Sequence, residues 1–378
     1  MQDLELIRTT NPKVIRQVWL NNRSFFGPKM SDELWLENSA LRMDQDYGLG
    51  KEFKIWILVP KGEGDDPKAI LSAVHTYDRP GLISRSLVES GHAGTQRDVE
   101  VDDILVAYVL LVFTPVEHRK RGYAKTLLRM LWGKFNSQTE PLVELTFLYS
   151  ALGTDFYESL GWHAVRSKEL VLPVTCHVFP KLAKRTARDH SLEDLTESHL
   201  QVITDKDIRL LRAELKLRAI AAPQNTRVAA ILPEERCFHR ALAKARFTLS
   251  KVARIARPFR RIGVRLNNGP EDEDAYVLWT FIEGSRQLLI LRARYRTVDQ
   301  IQCLLKEAMS EAREWNMRTV AIWDMNDCDA LAATGILNQD RVNSWSCVGQ
   351  FRHGPVDPGT GSPRVPVELM ANEGFVWT

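Results

Sequence analysis

The stretch that decides the fold lies at residues 103–134 and reads DILVAYVLLVFTPVEHRKRGYAKTLLRMLWGK. Its first eleven residues, which end at Phe113, are apolar and rich in β-branched side chains, and this predicts a strand buried on both faces. From about Tyr123 the apolar side chains recur at helical spacing on one face: Ala124, Leu127, Leu128 and Leu131. The stretch therefore predicts a strand, a loop and a helix in succession.

The loop between this strand and this helix carries the pattern Arg-x-x-Gly-x-Ala. Gly122 has no Cβ, so a ligand can approach its backbone closely. The first N–H groups of a helix lack intrahelical partners, and together with the helix dipole they attract anions. The loop therefore predicts a pyrophosphate site formed by Arg119, Lys120, Arg121, Gly122, Tyr123 and Ala124. The alternative interpretation is a basic, solvated turn between a core strand and a surface helix.

A second informative stretch, residues 142–162, reads LVELTFLYSALGTDFYESLGW. Its first nine residues predict another strand, and the residues around Tyr157 predict a short helix. Gly161 suits the position just past the end of that helix, with Trp162 opening the next strand.

The two motifs, Arg-x-x-Gly-x-Ala at residues 119–124 and Phe-Tyr-Glu-Ser-Leu-Gly-Trp at residues 156–162, together resemble the GNAT superfamily of acyl-CoA-dependent N-acyltransferases. The resemblance implies an α/β (α+β) fold in which helices flank a mixed central sheet. It also implies acetyl-CoA as the co-substrate, and we expect the reaction to need no metal.

The resemblance assigns roles to further residues. It places the backbone amides of Leu111, Val112 and Phe113 at a splayed point of the central strand, where they bind the carbonyl oxygen and pair with the pantetheine arm. Tyr157 matches the tyrosine that protonates the departing thiolate, and its alternative interpretation is an ordinary aromatic side chain closing the core. Ser150 stands where many members carry an Asn that contacts the cofactor.

The general base is harder to assign. Some GNAT enzymes carry a Glu on the central strand, but between Ile104 and Phe113 this chain has no acid and no His. Asp103, with Asp102 beside it, is the nearest candidate and would act through a water molecule. Both carboxylates also suit the surface at the start of a strand.

Composition limits the class of protein. The chain has 378 residues, 44% of them hydrophobic and 26% charged, as in globular proteins of two domains. Its net charge of +3 does not favour nucleic acid or a membrane as a partner, no apolar run is long enough to span a bilayer, and the start of the chain has no signal-peptide pattern. Its five scattered cysteines favour a reducing cytosol over disulfides or a zinc site, so we expect a cytoplasmic protein.

The order of predicted elements divides the chain. Residues 1–175 predict β-α-α-β-β-β-α-β-α-β-β, with a hairpin at 53–60 and 69–77, a long loop at 78–101 and a last strand at 168–174. We expect this part to be the acetyl-CoA-binding catalytic domain. Residues 176–204 are polar and predict a connector, and residues 205–378 predict a second α/β domain that shapes the acceptor site or is structural.

The second half resembles the GNAT core again. Residues 276–282 and 287–293 predict paired strands, a helix follows with Thr297 and Gln300 as a capping box, and 319–323 predict a strand. The turn before this helix has no Gly, which indicates a degenerate unit without a phosphate cradle. Residues 375–378 are mostly hydrophobic and predict a docked tail.

A basic stretch at residues 240–265 carries nine Lys and Arg residues and no acid. It suits either an anion site, for CoA phosphate or nucleic acid, or a solvated helix face with a basic loop. We favour the solvated face because aromatic residues for base stacking are sparse there.

In its length, in the GNAT motifs of its first half and in the ending Glu373-Gly374-Phe375-Val376-Trp377, the chain resembles the fungal lysine N-acetyltransferases, which act in lysine degradation. The resemblance implies direct transfer of an acetyl group from acetyl-CoA to the side-chain amine of free L-lysine in a ternary complex. Acetylation of another amine, such as a polyamine or a protein lysine, is the first alternative. A regulator that binds acyl-CoA without turnover is the second, and the sequence leaves the oligomeric state open.

Overall fold

The computed structural model describes residues 3–44, 52–86, 98–136, 143–165, 168–175, 191–223, 226–267, 275–325, 337–341, 344–350 and 366–377. Its contacts divide the chain into two compact units. The first comprises Met1–Val165, Leu210–Leu232 and Val342–Met370, and the second comprises Arg166–Arg209, Pro233–Arg341 and Ala371–Thr378. Each unit therefore combines segments that are distant in sequence.

Strands and helices are interspersed along the described residues. Up to residue 173 they are β1 (Leu4–Thr9), α1 (Pro12–Phe26), α2 (Asp32–Ala40), β2 (Phe53–Pro60), β3 (Ser72–Ser86), β4 (Val99–Phe113), α3 (Tyr123–Asn136), β5 (Val143–Ser150), α4 (Asp155–Glu158), β6 (His163–Ala164) and β7 (Lys168–Pro173). The later elements are β8 (Ser191–Leu195), α5 (Leu200–Ala221), β9 (Arg227–Ile231), α6 (Glu235–Phe247), β10 (Gly263–Asn267), β11 (Ala275–Ile282), β12 (Gln287–Arg294), α7 (Val298–Glu314), β13 (Thr319–Trp323), β14 (Leu337–Asp340), β15 (Trp345–Gln350), β16 (Val367–Met370) and α8 (Gly374–Trp377).

The two units contain sheets of the same topology. In the first unit the strands follow the order β1-β2-β3-β4-β5-β15-β6, with β9 paired to β3 and β16 paired to β9. In the second unit the order is β8-β10-β11-β12-β13-β7-β14. Along both paths the fourth and fifth strands pair in parallel, and the other described neighbours pair antiparallel. The mixed sheets confirm the predicted fold class.

Each sheet includes strands from the other half of the chain: β7 lies in the second sheet, and β15, like β9 and β16, lies in the first. β7 pairs with β13 and β14 in the second sheet, and β15 pairs with β5 and β6 in the first. The expectation that residues 168–174 complete the first domain's sheet was therefore wrong. A short apolar strand can pair with any complementary edge, and its sequence does not say which one.

The predicted hairpin is present, but in the loop predicted at residues 78–101 the described residues 78–86 and 99–101 form strands. β3 continues to Ser86 and β4 begins at Val99, while residues 87–97 lie outside the described part of the chain. The polar residues that suggested a loop have buried partners in the strand. Lys54 Nζ lies 2.8 Å from Asp78 Oδ2, and the Arg79 guanidinium donates to the Leu232 carbonyl oxygen. Because these partners are distant in sequence, the pattern alone could not reveal them.

Helix α3 is held on the first sheet by its apolar face. Four of its side chains are at most 1% exposed: Leu127, Leu128, Leu131 and Phe135. They pack with Ala107 and Val109 of β4 in one hydrophobic cluster. Because burying a leucine side chain contributes about 1.5–3 kcal/mol, this contact fixes the position of the helix start relative to β4.

Candidate functional site

The central strand of the first sheet breaks its pairing at one point. The last parallel pair between β4 and β5 in the described residues is Val109 with Leu148. On the other side of β4, Leu110 pairs with His75 and the next pair is Phe113 with Ala73, so two residues of β4 oppose one of β3. This is a β-bulge, and Leu111 within it has a φ of 52°. A positive φ is uncommon for a residue with a Cβ and costs on the order of 1–3 kcal/mol.

The bulge lies where β4 and β5 separate. The backbone of Leu111 and Val112 is therefore beyond the β4–β5 ladder of the described residues. N–H groups on that side can receive an extended ligand as a neighbouring strand would. The structure thus places the predicted amides of residues 111–113 at a splayed point of the sheet.

The loop after β4 leads directly into α3. It makes one 3₁₀ turn at Val116–His118, and Lys120 and Gly122 then have φ values of 62° and 81°. Gly122 O accepts the helical hydrogen bond from Thr126 N at 3.0 Å. A Cβ built on Gly122 would meet no described atom within 4 Å, so open space lies beside the helix start. The helix begins at Tyr123, as the sequence predicted.

The three basic side chains of this loop have different surroundings. Arg119 Nε donates to the Thr114 carbonyl oxygen at 3.1 Å, and its guanidinium lies 5.3 Å from the centre of the Phe113 ring. Arg119 therefore braces the loop against the end of β4. Lys120 and Arg121 are exposed. Two exposed cations beside unpaired helix N–H groups favour an anion.

Tyr157 lies on the one-turn helix α4 and is 9% exposed. Burial raises the pKa of its phenol well above the usual value, and the nearby Cys347 thiol adds to this effect. The phenol is therefore protonated at neutral pH and able to donate a hydrogen bond. Burial also raises the pKa of the Cys347 thiol to about 12, with Glu158 as a second cause. Cys347 lies on β15, 190 residues further along the chain, so its position near Tyr157 was not predictable from the sequence.

Gly161 and Ser150 frame this helix. Gly161 has a φ of 106° and follows the helix end, as the sequence predicted. Ser150 ends β5, is 2% exposed, and its Oγ accepts from Leu152 N at 3.1 Å. A hydroxyl that accepts one bond can still donate one, so Ser150 can hold a second partner.

The structure does not bring Asp103 to the bulge. Its side chain is exposed, and Oδ1 lies 2.5 Å from a guanidinium nitrogen of Arg212. Leu111 is eight residues further along β4, which corresponds to roughly 26 Å of extended strand. A direct proton transfer between Asp103 and a group held at the bulge is therefore excluded by distance.

His75 lies beside the bulge on β3, and the sequence motifs did not indicate it as a residue of the site. His75 is 1% exposed, pairs with Leu110, and meets the Phe53 ring edge-on at 5.1 Å. Neither of its ring nitrogens has a hydrogen-bond partner among the described residues. Burial lowers the pKa of the imidazole to about 3, with Arg42 as a further cause, so His75 is neutral.

Aromatic residues near the bulge were also missed, because residues 103–113 read as one apolar run. Tyr108 stacks on Phe147 at 4.5 Å and meets Tyr149 edge-on at 6.0 Å. Tyr149 is the first residue of β5 past its last pair with β4. The period of two along β4 puts Tyr108 on the same face as Leu110, and this pattern could have indicated from the sequence that Tyr108 lies near the site.

Ion pairs in the basic stretch at residues 240–265 support its interpretation as a solvated helix face with a basic loop. Arg261 contacts Asp194, Glu307 and Glu311, Arg265 contacts Glu193, and Arg246 contacts Glu197. Acidic residues distant in sequence therefore neutralise much of the stretch, and this favours the reading without an anion ligand.

A family model described as the LYC1 GNAT-like C-terminal domain matches residues 177–378. The chain belongs to this GNAT family. A lysine acetyltransferase of Yarrowia lipolytica is 22% identical over 270 residues, which cover 63% of this chain and 64% of that protein. The predicted resemblance to the GNAT superfamily is thereby confirmed.

Solved structures show the same fold as this GNAT family member. A probable N-acyltransferase from Enterococcus faecalis V583 has a TM-score of 0.54 at 11% identity, covering 91% of this chain and 72% of that one. A GCN5-related N-acetyltransferase from Kribbella flavida has a TM-score of 0.52 at 13% identity, covering 92% and 71%. A tandem GNAT protein from the clavulanic acid biosynthesis pathway has a TM-score of 0.50 at 11% identity, covering 92% and 98%. The fold therefore contains two GNAT-like units.

The described residues bear on two other kinds of site. They contain no group of three or more His, Cys, Asp or Glu side chains that could hold a metal ion. None of their helices is both long enough and apolar enough to cross a membrane.

Proposed function

We propose that this protein transfers an acetyl group from acetyl-CoA to the side-chain amine of free L-lysine. The observation that carries the proposal is the continuity of β4, the basic loop and α3. One segment of chain presents a bulge beside a splay, then a turn with two positive φ angles, then a helix start beside open space. The name of the Yarrowia lipolytica relative supports lysine as the acceptor.

The residues present suit acetyl-CoA. The N–H groups at the start of α3, with Lys120 and Arg121, would hold the pyrophosphate, and the open space beside Gly122 leaves room for it. The amides of residues 111–113 would pair with the pantetheine arm. When bound, acetyl-CoA supplies the thioester that the acceptor amine attacks.

The bulge amides would then stabilise the reaction. Negative charge develops on the carbonyl oxygen during attack, and a fixed N–H donor of this kind is worth roughly 10²–10³ in rate. Tyr157 would donate a hydrogen bond to the sulfur as it leaves. Because burial keeps its pKa above the reference value of about 8.5 for a thiol, the phenol would keep its proton while it stabilises the thiolate. The C–S bond breaks as the C–N bond forms, and the thiolate would take up through solvent the proton that the acceptor nitrogen gives up.

The proposal uses no carboxylate base at the bulge. Asp103 is too distant for direct contact, and β4 has no acidic residue between Ile104 and Phe113. A lysine ammonium has a reference pKa of about 10.4, so the amine reacts after it loses its proton to water. At pH values below about 10.4, the rate should therefore rise about tenfold for each unit by which the pH increases.

The test is release of CoA from acetyl-CoA by the purified chain, with free lysine, ornithine, spermidine and a lysine-containing peptide as acceptors. Turnover with lysine at a kcat/KM well above the other amines is the expected result. The matched control is Tyr157→Phe, which should bind CoA normally but turn over more slowly.

Two other outcomes would replace the proposal. Turnover confined to another amine would keep the acetyltransferase reaction and discard lysine as the acceptor. Tight CoA binding without turnover on any acceptor would discard the enzyme and favour a regulator that binds acyl-CoA.

A further inference from the structure

The second unit has kept the splay and the bulge of the first. In the described residues β12 pairs with β13 as far as Ile290 and Ile322. Against β11, Ile290 pairs with Trp279 while Arg292 pairs with Leu278, so Leu291 is one extra residue in β12. The fourth strand of each sheet therefore has a bulge where its parallel partner diverges. Ala293 lies three residues past the last parallel pair, as Val112 does on β4.

Residues 371–377, here called the C-terminal segment, lie at this point of the second sheet. Glu373 Oε2 accepts a hydrogen bond from Ala293 N at 2.8 Å. Gly374 packs directly on β12, since a Cβ built on it would lie 2.6 Å from the Ile290 carbonyl oxygen. Asn372 Nδ2 donates to Asp324 Oδ2 at 2.9 Å, and Asp324 follows the last residue of β13. The segment thus contacts both diverging strands.

The rest of the C-terminal segment is buried in the same unit. Phe375 is fully buried and stacks on Phe238 with ring centres 6.0 Å apart. Trp377 lies 5.5 Å from the Trp323 ring, and Lys244 Nζ lies 4.9 Å from the centre of the Trp377 ring. The segment is therefore a docked part of the fold, as the hydrophobic ending predicted.

Buried charged groups surround Glu373. Arg292 contacts both Glu373 and Asp207, and Arg294 Nη1 contacts Asp207 Oδ1 at 2.7 Å. Tyr276 Oη also donates to Asp207 at 2.7 Å. Removal of the Glu373 carboxylate would therefore take from the buried Arg292 one of the two carboxylates that it contacts.

The start of helix α7 differs from the start of α3. Helix α7 begins with a capping box, in which Thr297 Oγ1 accepts from Gln300 N at 3.2 Å. Gln300 Oε1 accepts from the N–H groups of Arg296 and Thr297 at 2.7 and 3.2 Å. Side chains of the protein therefore bind one N–H group of the first helical turn and two N–H groups just before it, which a phosphate would otherwise compete for.

We propose that the second unit is an acyltransferase-type unit whose acyl cleft is a binding site filled in cis by the C-terminal segment. The Glu373 carboxylate binds the Ala293 N–H, at the place that corresponds to the bulge amides of the first unit. The chain consequently binds one acyl-CoA, through its first unit. This last statement rests on the proposed function, whereas the filling of the second cleft does not.

Hydrogen–deuterium exchange of the full-length chain, read by mass spectrometry with and without CoA, tests the consequence for ligand binding. CoA should slow exchange at residues 108–126 at least tenfold and leave residues 288–300 unchanged. Protection of residues 288–300 by CoA would overturn the proposal. Absence of CoA protection at residues 108–126 would count against the proposed function and leave the second cleft to be judged by the variants.

The variants test the cis contact without any ligand. Glu373→Ala should accelerate exchange of the Ala293 amide at least tenfold, and unchanged exchange there would overturn the proposal. The matched control is Glu314→Ala, which removes an exposed carboxylate of the same unit that lies 3.7 Å from Arg257. It should leave residues 288–296 unaffected.

A third variant separates local release from unfolding. If Glu373→Ala loosens the whole unit, Glu373→Gln decides, because the amide oxygen can still accept from Ala293 N. Because Glu373→Gln also removes the charge, the amides of α7 report any unfolding of the unit in the same experiment. Protection of Ala293 within threefold of the wild type supports the proposal, and exchange as fast as in Glu373→Ala while α7 stays protected overturns it.

Discussion

Gly122 provides a sharp test of how the loop before α3 binds an anion. The residue has a φ of 81°, and a Cβ on it would meet no described atom within 4 Å. Gly122→Ala therefore introduces no clash, and its cost is the conformational penalty of a left-handed residue, about 1–2 kcal/mol. The mutant loop either stays strained, which lowers the free energy of unfolding, or relaxes, which weakens CoA binding.

The loss in unfolding free energy and the loss in CoA-binding free energy should together equal the conformational penalty of about 1–2 kcal/mol. If the loop relaxes completely, the dissociation constant for CoA rises about 5- to 30-fold, since 1.4 kcal/mol corresponds to a factor of ten. Calorimetric titration with CoA gives the loss in binding free energy, and urea unfolding gives the loss in stability. Gly122→Asn should recover part of the affinity, because Asn adopts left-handed conformations more readily than Ala.

Gly62 is the matched control for this experiment. It has a φ of 86°, and a Cβ on it would also meet no described atom within 4 Å. Gly62→Ala changes the unfolded chain in the same way as Gly122→Ala, so the unfolded-state effect cancels in the comparison. It should lower stability and leave CoA affinity unchanged. Wild-type affinity and stability in Gly122→Ala, or an equal loss of affinity in Gly62→Ala, would refute the reasoning.

Three further predictions concern single side chains. Tyr157→Phe should lower kcat about 10²-fold with little change in the KM for acetyl-CoA, and an unchanged kcat in steady-state assays would remove Tyr157 from the chemistry. Asp103→Asn should change kcat less than twofold because Asp103 is exposed and distant from the bulge; a 10²-fold loss would restore it as the base. For His75, burial lowers the pKa from 6.5 to about 3, so the unfolded chain binds a proton in this interval and the folded chain does not. This group should lower the free energy of unfolding by about 1.4 kcal/mol per pH unit as pH falls from 6.5, and a slope in urea unfolding that His75→Phe leaves unchanged would contradict it.

The sequence by itself determined the local parts of the site. The order of β4, loop and α3 follows from apolar periodicity and from one glycine, and both are properties of neighbouring residues. The turn at Gly122 and the end of α4 at Gly161 were predictable because a positive φ strongly favours glycine. The capping box of Thr297 and Gln300 was predictable because its two partners are only three residues apart in the sequence.

Only the tertiary structure decided how these parts meet. The bulge at Leu111 depends on the register between β3 and β4, and a leucine with positive φ has no sequence signature. The exchange of β7 and β15 between the sheets depends on pairing with strands that are distant in sequence. The positions of His75 beside the bulge and of Glu373 on Ala293 depend on contacts between residues far apart in the chain. Periodicity and turn chemistry are short-range properties, whereas register, burial and charge pairing arise when distant segments compete for the same surface, so the sequence predicted the elements and the folded chain decided their partners.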